Sequence, residues 1–159
     1  MAKMLVCYYS QSGHTAGMAE AIGEGARKVA GVEVDVKAVA DVKVSELLDY
    51  DAIAIGSPTY YGTMAWQIKQ LLDESVAFHG KLRGKVGGAF TSSGNLAGGG
   101  ETTILAILEG LLIHGMIVQG HAKGSHYGPV AIGKMDDRAR GECVTHGKAV
   151  AELAVKLHG

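Results

Sequence analysis

Apolar residues along the chain follow two spacings, one typical of buried strands and one typical of helix faces. Short apolar runs rich in Val, Ile and Ala predict five strands, at residues 4–9, 32–36, 52–55, 86–90 and 116–118. Longer stretches with helical spacing predict helices at about residues 13–29, 44–48, 64–78, 102–114 and 137–157. Asp136 or Asp137 is a suitable N-cap for the last helix. The run 32–36 alternates apolar with charged residues, so we expect it at an edge of the sheet.

The regular alternation of strand and helix predicts a single α/β domain over residues 1–159, with a parallel sheet and helices on both faces. Five strands in this sequence fit the flavodoxin-like doubly wound fold, a three-layer α/β/α architecture with strand order 2-1-3-4-5. The ligand crevice of that fold lies at the carboxyl ends of the first and third strands. The loops after the first, third and fourth strands should therefore converge.

The loop after the first strand, residues 10–15, has the composition of an anion-binding turn. It offers the hydroxyls of Ser10, Ser12 and Thr15 and the backbone N–H groups of a helix N-terminus, and it contains no Lys or Arg. It matches neither the dinucleotide fingerprint nor the P-loop, and a terminal monophosphate suits it better. The alternative is a polar turn in which Ser12 caps the helix and nothing binds.

Two further loops carry candidate ligand contacts. After the third strand, Pro58 restricts the backbone, Gly62 relaxes the turn, and Tyr60 and Tyr61 reach the rim of the crevice. An aromatic side chain there can cover a planar ring; we expect this of Tyr60, and expect Tyr61 to pack on the following helix. After the fourth strand, small residues crowd positions 91–102, where exposed N–H groups suit the polar edge of a flavin. The alternative for that segment is a flexible linker.

Charge and hydropathy narrow the classes of partner. The formal net charge is -1 with both signs interspersed, which argues against a nucleic-acid partner. No apolar stretch approaches the roughly 20 residues of a membrane span, and the N-terminus has no secretory pattern. We therefore expect a cytoplasmic protein whose partner is a small molecule.

The cysteines and histidines do not form a recognisable metal site. Cys7 and Cys143 lie far apart in the sequence and lack a C-x-x-C spacing, so we expect both to be reduced and structural. His121 and His126 are the one close histidine pair, and no cysteine or carboxylate joins them at ligand spacing. We expect no bound metal.

Several motifs together resemble a known family. The phosphate-loop segment SQSGHT at residues 10–15 resembles that of flavodoxins, and YYS at 8–10 with Gly13 and His14 is even more similar to the WrbA-type NAD(P)H:quinone oxidoreductases. The resemblance continues in the same order through SPTYYGTMA at 57–65, FTSSG at 90–94 with GGGE at 98–101, and HGM at 114–116. It covers the chain nearly from end to end.

The resemblance implies FMN as the cofactor and assigns residues to it. Around the phosphate it places Ser10, Gln11, Ser12, Gly13, His14 and Thr15. Around the isoalloxazine ring it places Pro58, Thr59, Tyr60, Tyr61, Gly62, Ser92, Ser93, Gly94, Asn95, Gly98 and His126. The segment 121–129 falls where such folds can interrupt the fifth strand, with residues 130–132 resuming it.

His114 and Tyr127 are the candidates for the substrate pocket. The family's matching histidine helps to wall that pocket, sometimes from a neighbouring subunit, and either side chain could help to protonate the product. The alternative for His114 is a residue that ends a helix and interacts with the helix dipole.

Two functions follow from the resemblance. In the first, an enzyme transfers electrons from NAD(P)H through FMN to a quinone or a similar planar acceptor. In the second, a flavodoxin carries single electrons between proteins. Such carriers are typically strongly acidic, so the net charge of -1 favours the enzyme. A binding module without turnover is a third possibility.

The chain is shorter than the quinone reductases that it resembles. It lacks an insertion between the second and third strands and part of the insertion in the fifth, and these segments build the family's tetramer and pocket. The family's oligomeric state therefore does not carry over directly, and a homo-oligomer, either a dimer or a tetramer, is left as an open alternative. Where the family has a pocket tryptophan, this chain offers only Phe78 or His79.

Overall fold

The computed structural model describes all residues from Met1 to Gly159 and contains seven strand segments and four α-helices. The strands are β1 (Ala2–Tyr8), β2 (Val32–Ala38), β3 (Ala52–Tyr60), β4 (Thr63–Met64), β5 (Val86–Ser93), β6 (Ile117–Val118) and β7 (Val130–Ile132). The helices are α1 (His14–Arg27), α2 (Trp66–Glu74), α3 (Gly100–Ile113) and α4 (Asp137–His158). Three 3-10 segments cover Val39–Asp41, Val44–Asp49 and Ser75–Phe78. No helix combines the length and the apolar character that crossing a membrane requires.

The sheet has the predicted doubly wound order. Its strands run β2-β1-β3-β5-β6 in parallel, with β2 at one edge as the alternating pattern indicated. Segments β6 and β7 share the position of the fifth strand: β6 pairs with Val86 and Gly87 of β5, and β7 pairs with residues 91–93 of β5. The fifth strand is therefore interrupted, and it resumes at Val130 as predicted.

The two faces of the sheet bury separate apolar clusters. Alternation along β1 sends Met4 and Val6 to the cluster under α1 and α4, and Leu5 and Cys7 to the cluster that includes residues of α2 and α3. Because both faces are covered, β1 reads in the sequence as one continuous apolar run.

Two strands extend beyond their predicted ends. Strand β3 continues to Tyr60 and β5 to Ser93, and the added residues pair in register, Ser57 with Thr91 and Pro58 with Ser92. The sequence predicts loops at these polar residues because the apolar pattern of each strand ends before them. Ser57 and Thr91 are instead buried, and the Thr91 hydroxyl donates to the carbonyl oxygen of Ser57 and lies beside the hydroxyl of Thr59.

The helices also differ in detail from the prediction. Thr63 and Met64 form an antiparallel hairpin with the end of β3, so α2 begins at Trp66 and continues beyond Glu74 as a 3-10 turn. The short predicted helix near residues 44–48 is a 3-10 segment. Asp136 is the N-cap of α4, and its Oδ1 accepts a hydrogen bond from the backbone N–H of Ala139 at 2.8 Å.

Helices α1 and α4 approach each other closely at two glycines. A Cβ at Gly25 of α1 would overlap the carbonyl oxygen of Val144, and a Cβ at Gly147 of α4 would overlap the carbonyl oxygen of Ile22. Backbone meets backbone at both points. Any side chain there therefore forces the two helices apart.

We expect Gly147→Ala to lower the free energy of unfolding by about 1–3 kcal/mol, because the added methyl group overlaps Ile22. The matched control is Gly141→Ala in the same helix, where a Cβ meets nothing within 4 Å. It should raise the free energy of unfolding by up to about 1 kcal/mol through helix propensity. Urea denaturation measures both, and equal effects at the two positions would contradict the close packing.

Candidate functional site

The loop between β1 and α1 presents an uncapped helix N-terminus. Gly13 is the N-cap, with φ at 90°, and no side chain bonds to the first N–H groups of the helix. The N-cap role considered for Ser12 is therefore not adopted, and Ser12 is exposed. The hydroxyl oxygen of Ser10 accepts a hydrogen bond from the backbone N–H of Gly13 at 3.1 Å, which shapes the turn.

This turn fits a phosphate group. The first turn of α1 contains no acidic residue, and a Cβ at Gly13 would meet nothing within 4 Å. Unpaired N–H groups and the positive end of the helix dipole face the same open space, beside two serine hydroxyls. These are neutral donors suited to an anion that already carries its charge.

Thr15 is placed differently from the other hydroxyls of this loop. Only 1% of the residue is exposed, and its Oγ1 lies 2.8 Å from the Oγ of Ser92 at the end of β5. The sequence predicted that both residues contact the cofactor. In the structure their hydroxyls lie within hydrogen-bond distance of each other, and the contact with the cofactor stays a prediction.

The loop after β3 is a two-residue hairpin. Tyr60 pairs with Thr63, and the tip residues Tyr61 and Gly62 both have positive φ, 49° and 79°, as in a type I′ turn. That turn favours Asn or Gly at its first tip position, so Tyr61 adopts a strained conformation.

The turn directs the side chain of Tyr61 away from the protein, and it is fully exposed rather than packed on the following helix as predicted. Tyr60 turns toward the phosphate loop, where its hydroxyl donates a hydrogen bond to Oε1 of Gln11 at 2.9 Å. Burial raises the pKa of Tyr60, and neighbouring Tyr9 adds to this, which keeps the phenol protonated.

The glycine-rich loop after β5 is anchored at both ends. Ser93 donates to the carbonyl oxygen of Asn95 at 3.0 Å, and Thr102 donates to the carbonyl oxygen of Gly62 at 2.5 Å. A Cβ at Gly99 would lie 2.6 Å from the Cα of Gly62, so the loop touches the hairpin directly. These contacts argue against a flexible linker and bring the second and third loops together.

Buried hydroxyls hold the strand ends beneath these loops. Thr91 donates to the carbonyl oxygen of Ser57 at 2.7 Å, and its Oγ1 lies 2.9 Å from Oγ1 of Thr59. The Oγ of Ser57 accepts from the backbone N–H of Ala65 at 2.8 Å. The roles of Ser57 and Thr91 are not among those predicted from the sequence. The signal available was a run of Ser and Thr directly after two apolar strands.

A cavity of about 610 Å³ lies beside the glycine-rich loop. Its walls are formed by the start of α3, the segment 124–128, strand β7 and the start of α4, and they include Asn95, Leu96, Ile104, His126, Tyr127 and Ile132. Two carboxylates, Glu101 and Asp136, also line it, and the one arginine on its wall pairs with Glu142. The structure thus brings together His126, Tyr127 and Asn95 from the sequence prediction.

A histidine pair fastens the segment that carries His126 and Tyr127. His121 Nε2 lies 2.7 Å from Nδ1 of His146, a buried residue in the middle of α4. Burial, reinforced by His121, lowers the pKa of His146 to about 3, so the pair is neutral at pH 7. His126 Nδ1 in turn lies 2.7 Å from the carbonyl oxygen of His121. This pair therefore has a structural role.

His114 does not share the crevice of its own chain. It follows the C-terminal end of α3, whereas the glycine-rich loop precedes the N-terminal end. It is 7% exposed, and its Nε2 lies 2.7 Å from the Oγ of Ser75. Burial lowers its pKa, and His79 adds to this. Within one chain His114 therefore matches the helix-ending alternative.

The two cysteines are unpaired and buried. Burial raises the pKa of Cys7 to about 12, and burial together with Glu142 does the same for Cys143. Both remain protonated thiols at neutral pH, which suits structural residues.

The fold and the three converging loops define a flavodoxin-like protein, and a match to the family described as Flavodoxin over residues 6–142 establishes that the chain belongs to that family. Among curated proteins it is similar to an NAD(P)H dehydrogenase (quinone) of Rhodopseudomonas palustris strain TIE-1, with 38% identity and full coverage of both chains. A protein of the same name from Caulobacter vibrioides strain NA1000 is also 38% identical over both full chains.

Two solved structures have the same fold along nearly the whole chain. A WrbA-like flavodoxin from Agrobacterium tumefaciens is 30% identical, with 99% of each chain covered and a TM-score of 0.83. A flavodoxin from the domain Archaea is 36% identical, with 96% of this chain and 98% of that chain covered and a TM-score of 0.79. The predicted fold and the predicted family are both confirmed.

We expect Tyr61→Asn to raise the free energy of unfolding by about 0.5–1 kcal/mol, because Asn-Gly is the preferred tip of a type I′ turn. Thermal and urea unfolding measure this. The control Tyr127→Asn, at an exposed residue whose φ is not positive, should give no such gain. Equal stabilities of Tyr61→Asn and the unmodified protein would contradict the strain.

Proposed function

We propose that this protein binds FMN in the crevice formed by the three loops and transfers electrons from NAD(P)H to a quinone or a similar planar acceptor. The observation that carries the proposal is the uncapped, charge-free turn at Gly13, which meets the Tyr60 hairpin and the glycine-rich loop at the same end of the sheet. Full-length relatives named NAD(P)H dehydrogenase (quinone) confirm the prediction of a quinone oxidoreductase-type enzyme.

The phosphate half of the site rests on the first loop. Backbone N–H groups at the start of α1, with the hydroxyls of Ser10 and Ser12, hold the phosphate, and Gly13 leaves room for its oxygens. His14 lies in the first turn, half-buried, and completes the wall. These neutral donors stabilise the phosphate dianion without an ion pair.

The ring half of the site rests on the hairpin and the glycine-rich loop. Residues 58–62 would cover one face of the isoalloxazine ring, and backbone N–H groups of residues 93–95, with Gly98, would bond its polar edge. Tyr60 is held by Gln11, and the exposed Tyr61 supplies a further aromatic surface at the rim. Bound FMN would supply the redox chemistry, the transfer of a hydride from NAD(P)H and of two electrons to the acceptor.

The neighbouring cavity suits an uncharged acceptor. Its apolar walls accommodate a planar ring, and Glu101 with Asp136 disfavours the phosphates of a dinucleotide there. Tyr127 presents a hydroxyl in the cavity from which a proton can be given to the reduced acceptor, and His126 adds a second polar group. His114 can take part only if a second copy of the chain brings it to the site. Its role therefore stays a prediction, as does the dimer or tetramer.

An electron carrier is the second candidate function. The 36% identity to a solved archaeal flavodoxin over nearly the whole chain favours it. The formal net charge of -1 argues against it, because carriers dock onto basic partners through acidic surfaces. Location in the cytoplasm stays a prediction of the sequence.

Anaerobic reduction separates the two functions. We expect protein loaded with FMN to lose its flavin absorbance directly to the two-electron form when NADH or NADPH is added without oxygen. Adding a quinone should then restore the absorbance. If neither nucleotide reduces the protein and stepwise chemical reduction gives a stable one-electron form, the carrier function holds instead.

We expect Ser12→Asp to weaken FMN binding by on the order of 10–100-fold, because a carboxylate then competes with the phosphate at the helix N-terminus. Riboflavin, which lacks the phosphate, should bind as it does to the unmodified protein. The control Ser12→Asn has the size of Asp without its charge and should therefore weaken FMN binding less than Ser12→Asp does. Quenching of flavin fluorescence gives the dissociation constants, and unchanged FMN binding by Ser12→Asp would place the phosphate elsewhere.

A further inference from the structure

The segment of residues 121–127 forms one wall of the cavity beside the glycine-rich loop. It contains no helix or strand, and its residues His126 and Tyr127 line the cavity. Its first residue, His121, does not line this cavity, and its Nε2 lies 2.7 Å from Nδ1 of His146 in α4. A contact between two imidazole rings therefore joins the wall to α4.

The position of His121 also fixes the position of His126. The backbone N–H of His121 donates to the carbonyl oxygen of His126 at 2.9 Å, and Nδ1 of His126 lies 2.7 Å from the carbonyl oxygen of His121. These two contacts close the segment into a ring. The arrangement of the wall therefore depends on where His121 is held.

Hydrogen bonds rather than apolar packing hold the wall against α4. A second cavity, of about 420 Å³, lies between the wall and α4, and Pro129 is the one apolar side chain in its lining. Ser125 supplies the one other side-chain hydrogen bond across this gap, donating to Oε2 of Glu142 at 2.6 Å. The histidine pair is thus one of two side-chain hydrogen bonds from the wall to the helix.

His146 suits this contact only as a neutral ring. It is 2% exposed, its Nε2 has no hydrogen-bond partner, and a Cβ at Gly88 of β5 would lie 2.7 Å from that nitrogen. An N–H at Nε2 would therefore be buried without an acceptor. The neutral ring avoids this cost when its one proton is on Nδ1, which then donates to Nε2 of His121. A proton added to either ring forces an N–H onto the buried nitrogen or breaks the contact.

The surrounding charges leave both rings difficult to protonate in this arrangement. Burial lowers the pKa of His146 to about 3, with His121 as the one charged group that adds to this, and Gly88 brings no charge from β5. Burial also lowers the pKa of His121, and Glu142 opposes this without cancelling it. The other charged residues around the second cavity are Lys123, Asp137 and Arg138.

We propose that His146 is a positioning residue for this cavity wall, acting through His121, and that protonation of the pair releases the wall from α4. Release exposes both rings to water, where a histidine binds a proton near pH 6.5. The closed arrangement excludes these protons, so it is fully stable above about pH 6.5 and weakens as the pH falls below that value. The consequence for the acceptor rests on the proposed function, because Tyr127 then no longer faces the acceptor in one arrangement.

Two spin labels across the second cavity measure the release in the full chain. Lys123→Cys in the wall and Thr145→Cys in α4 are exposed positions that take the labels, while the two native cysteines are buried and stay unlabelled. At pH 7.5 we expect one short distance between the labels. At pH 5.5 a longer distance should appear, and the ratio of its population to the short one should rise by about 10-fold for each histidine that takes up a proton.

Two substitutions in the labelled protein remove a titrating ring and keep a hydrogen-bonding group. His146→Asn keeps an amide near the position of Nδ1, and His121→Gln keeps one near the position of Nε2. Each should reduce the pH dependence by about 10-fold, and the double variant should have the same population ratio at both pH values. His121 is only half-buried, so His121→Gln decides the matter if His146→Asn does not fold.

Two controls separate titration from a general weakening of the wall. Ser125→Ala removes the other side-chain contact and should raise the open population by the same factor at both pH values, because a hydroxyl does not titrate there. His158→Gln removes an exposed histidine at the end of the same helix and should leave the pH dependence unchanged. Far-ultraviolet circular dichroism should be the same at pH 7.5 and 5.5.

The effect on the acceptor is measured separately with FMN-loaded protein. The KM for a quinone should rise several-fold between pH 7.5 and 5.5, and this rise should be absent from the double variant His121→Gln, His146→Asn. A rise of the same size in the double variant would show that the pair does not position the wall for the acceptor.

The remaining outcomes each overturn a distinct part of the proposal. The same pH dependence in the unmodified chain and in the double variant excludes protonation of the pair as the cause of release. Loss of helical circular dichroism at pH 5.5 shows unfolding of the whole domain in place of local release. If the protein reduces no quinone, the proposed function fails, whereas the label distances still decide whether the histidine pair holds the wall.

Discussion

The parallel pairing of β3 with β5 is the constraint on which the rest of the site depends. The two strands stay in register from Ala52 and Val86 through their apolar segments and on to Pro58 and Ser92. Because of this continuation, both strands extend beyond the core and end side by side at the carboxyl edge of the sheet. The hairpin and the glycine-rich loop then meet because their strands end together.

Polar residues can occupy this continuation because each hydroxyl finds a partner. Burying an unbonded hydroxyl costs free energy, whereas a bonded hydroxyl is close to neutral. Thr91 bonds to Ser57 and Thr59, and Ser92 bonds to Thr15, so three elements are joined beneath the crevice. Because these hydrogen bonds hold the ends of β3, β5 and α1 together, the loops that follow can consist of small residues without becoming flexible.

Glycine residues also hold the structure together, because they let neighbouring backbone segments approach each other closely. Of the 24 glycines, Gly99 matters most for the site because it lets the third loop touch the hairpin at Gly62. Gly56 leaves the space that the ring of Phe90 fills, and Gly25 and Gly147 let α1 and α4 meet backbone to backbone. The glycine content therefore reflects close backbone packing in the core as well as in the ligand loops.

The sequence by itself determined the order of strands and helices, the doubly wound fold and the position of the polar turn before α1. These depend on apolar periodicity and on local turn chemistry, and residues close together in the sequence set both. Only the tertiary structure decided that β3 and β5 continue through polar residues, that Thr15 bonds to Ser92, that Tyr61 points outward, and that His114 contacts Ser75. Each of these depends on partners distant in sequence or on the backbone angles of one turn, and no local pattern of apolar and polar residues encodes either.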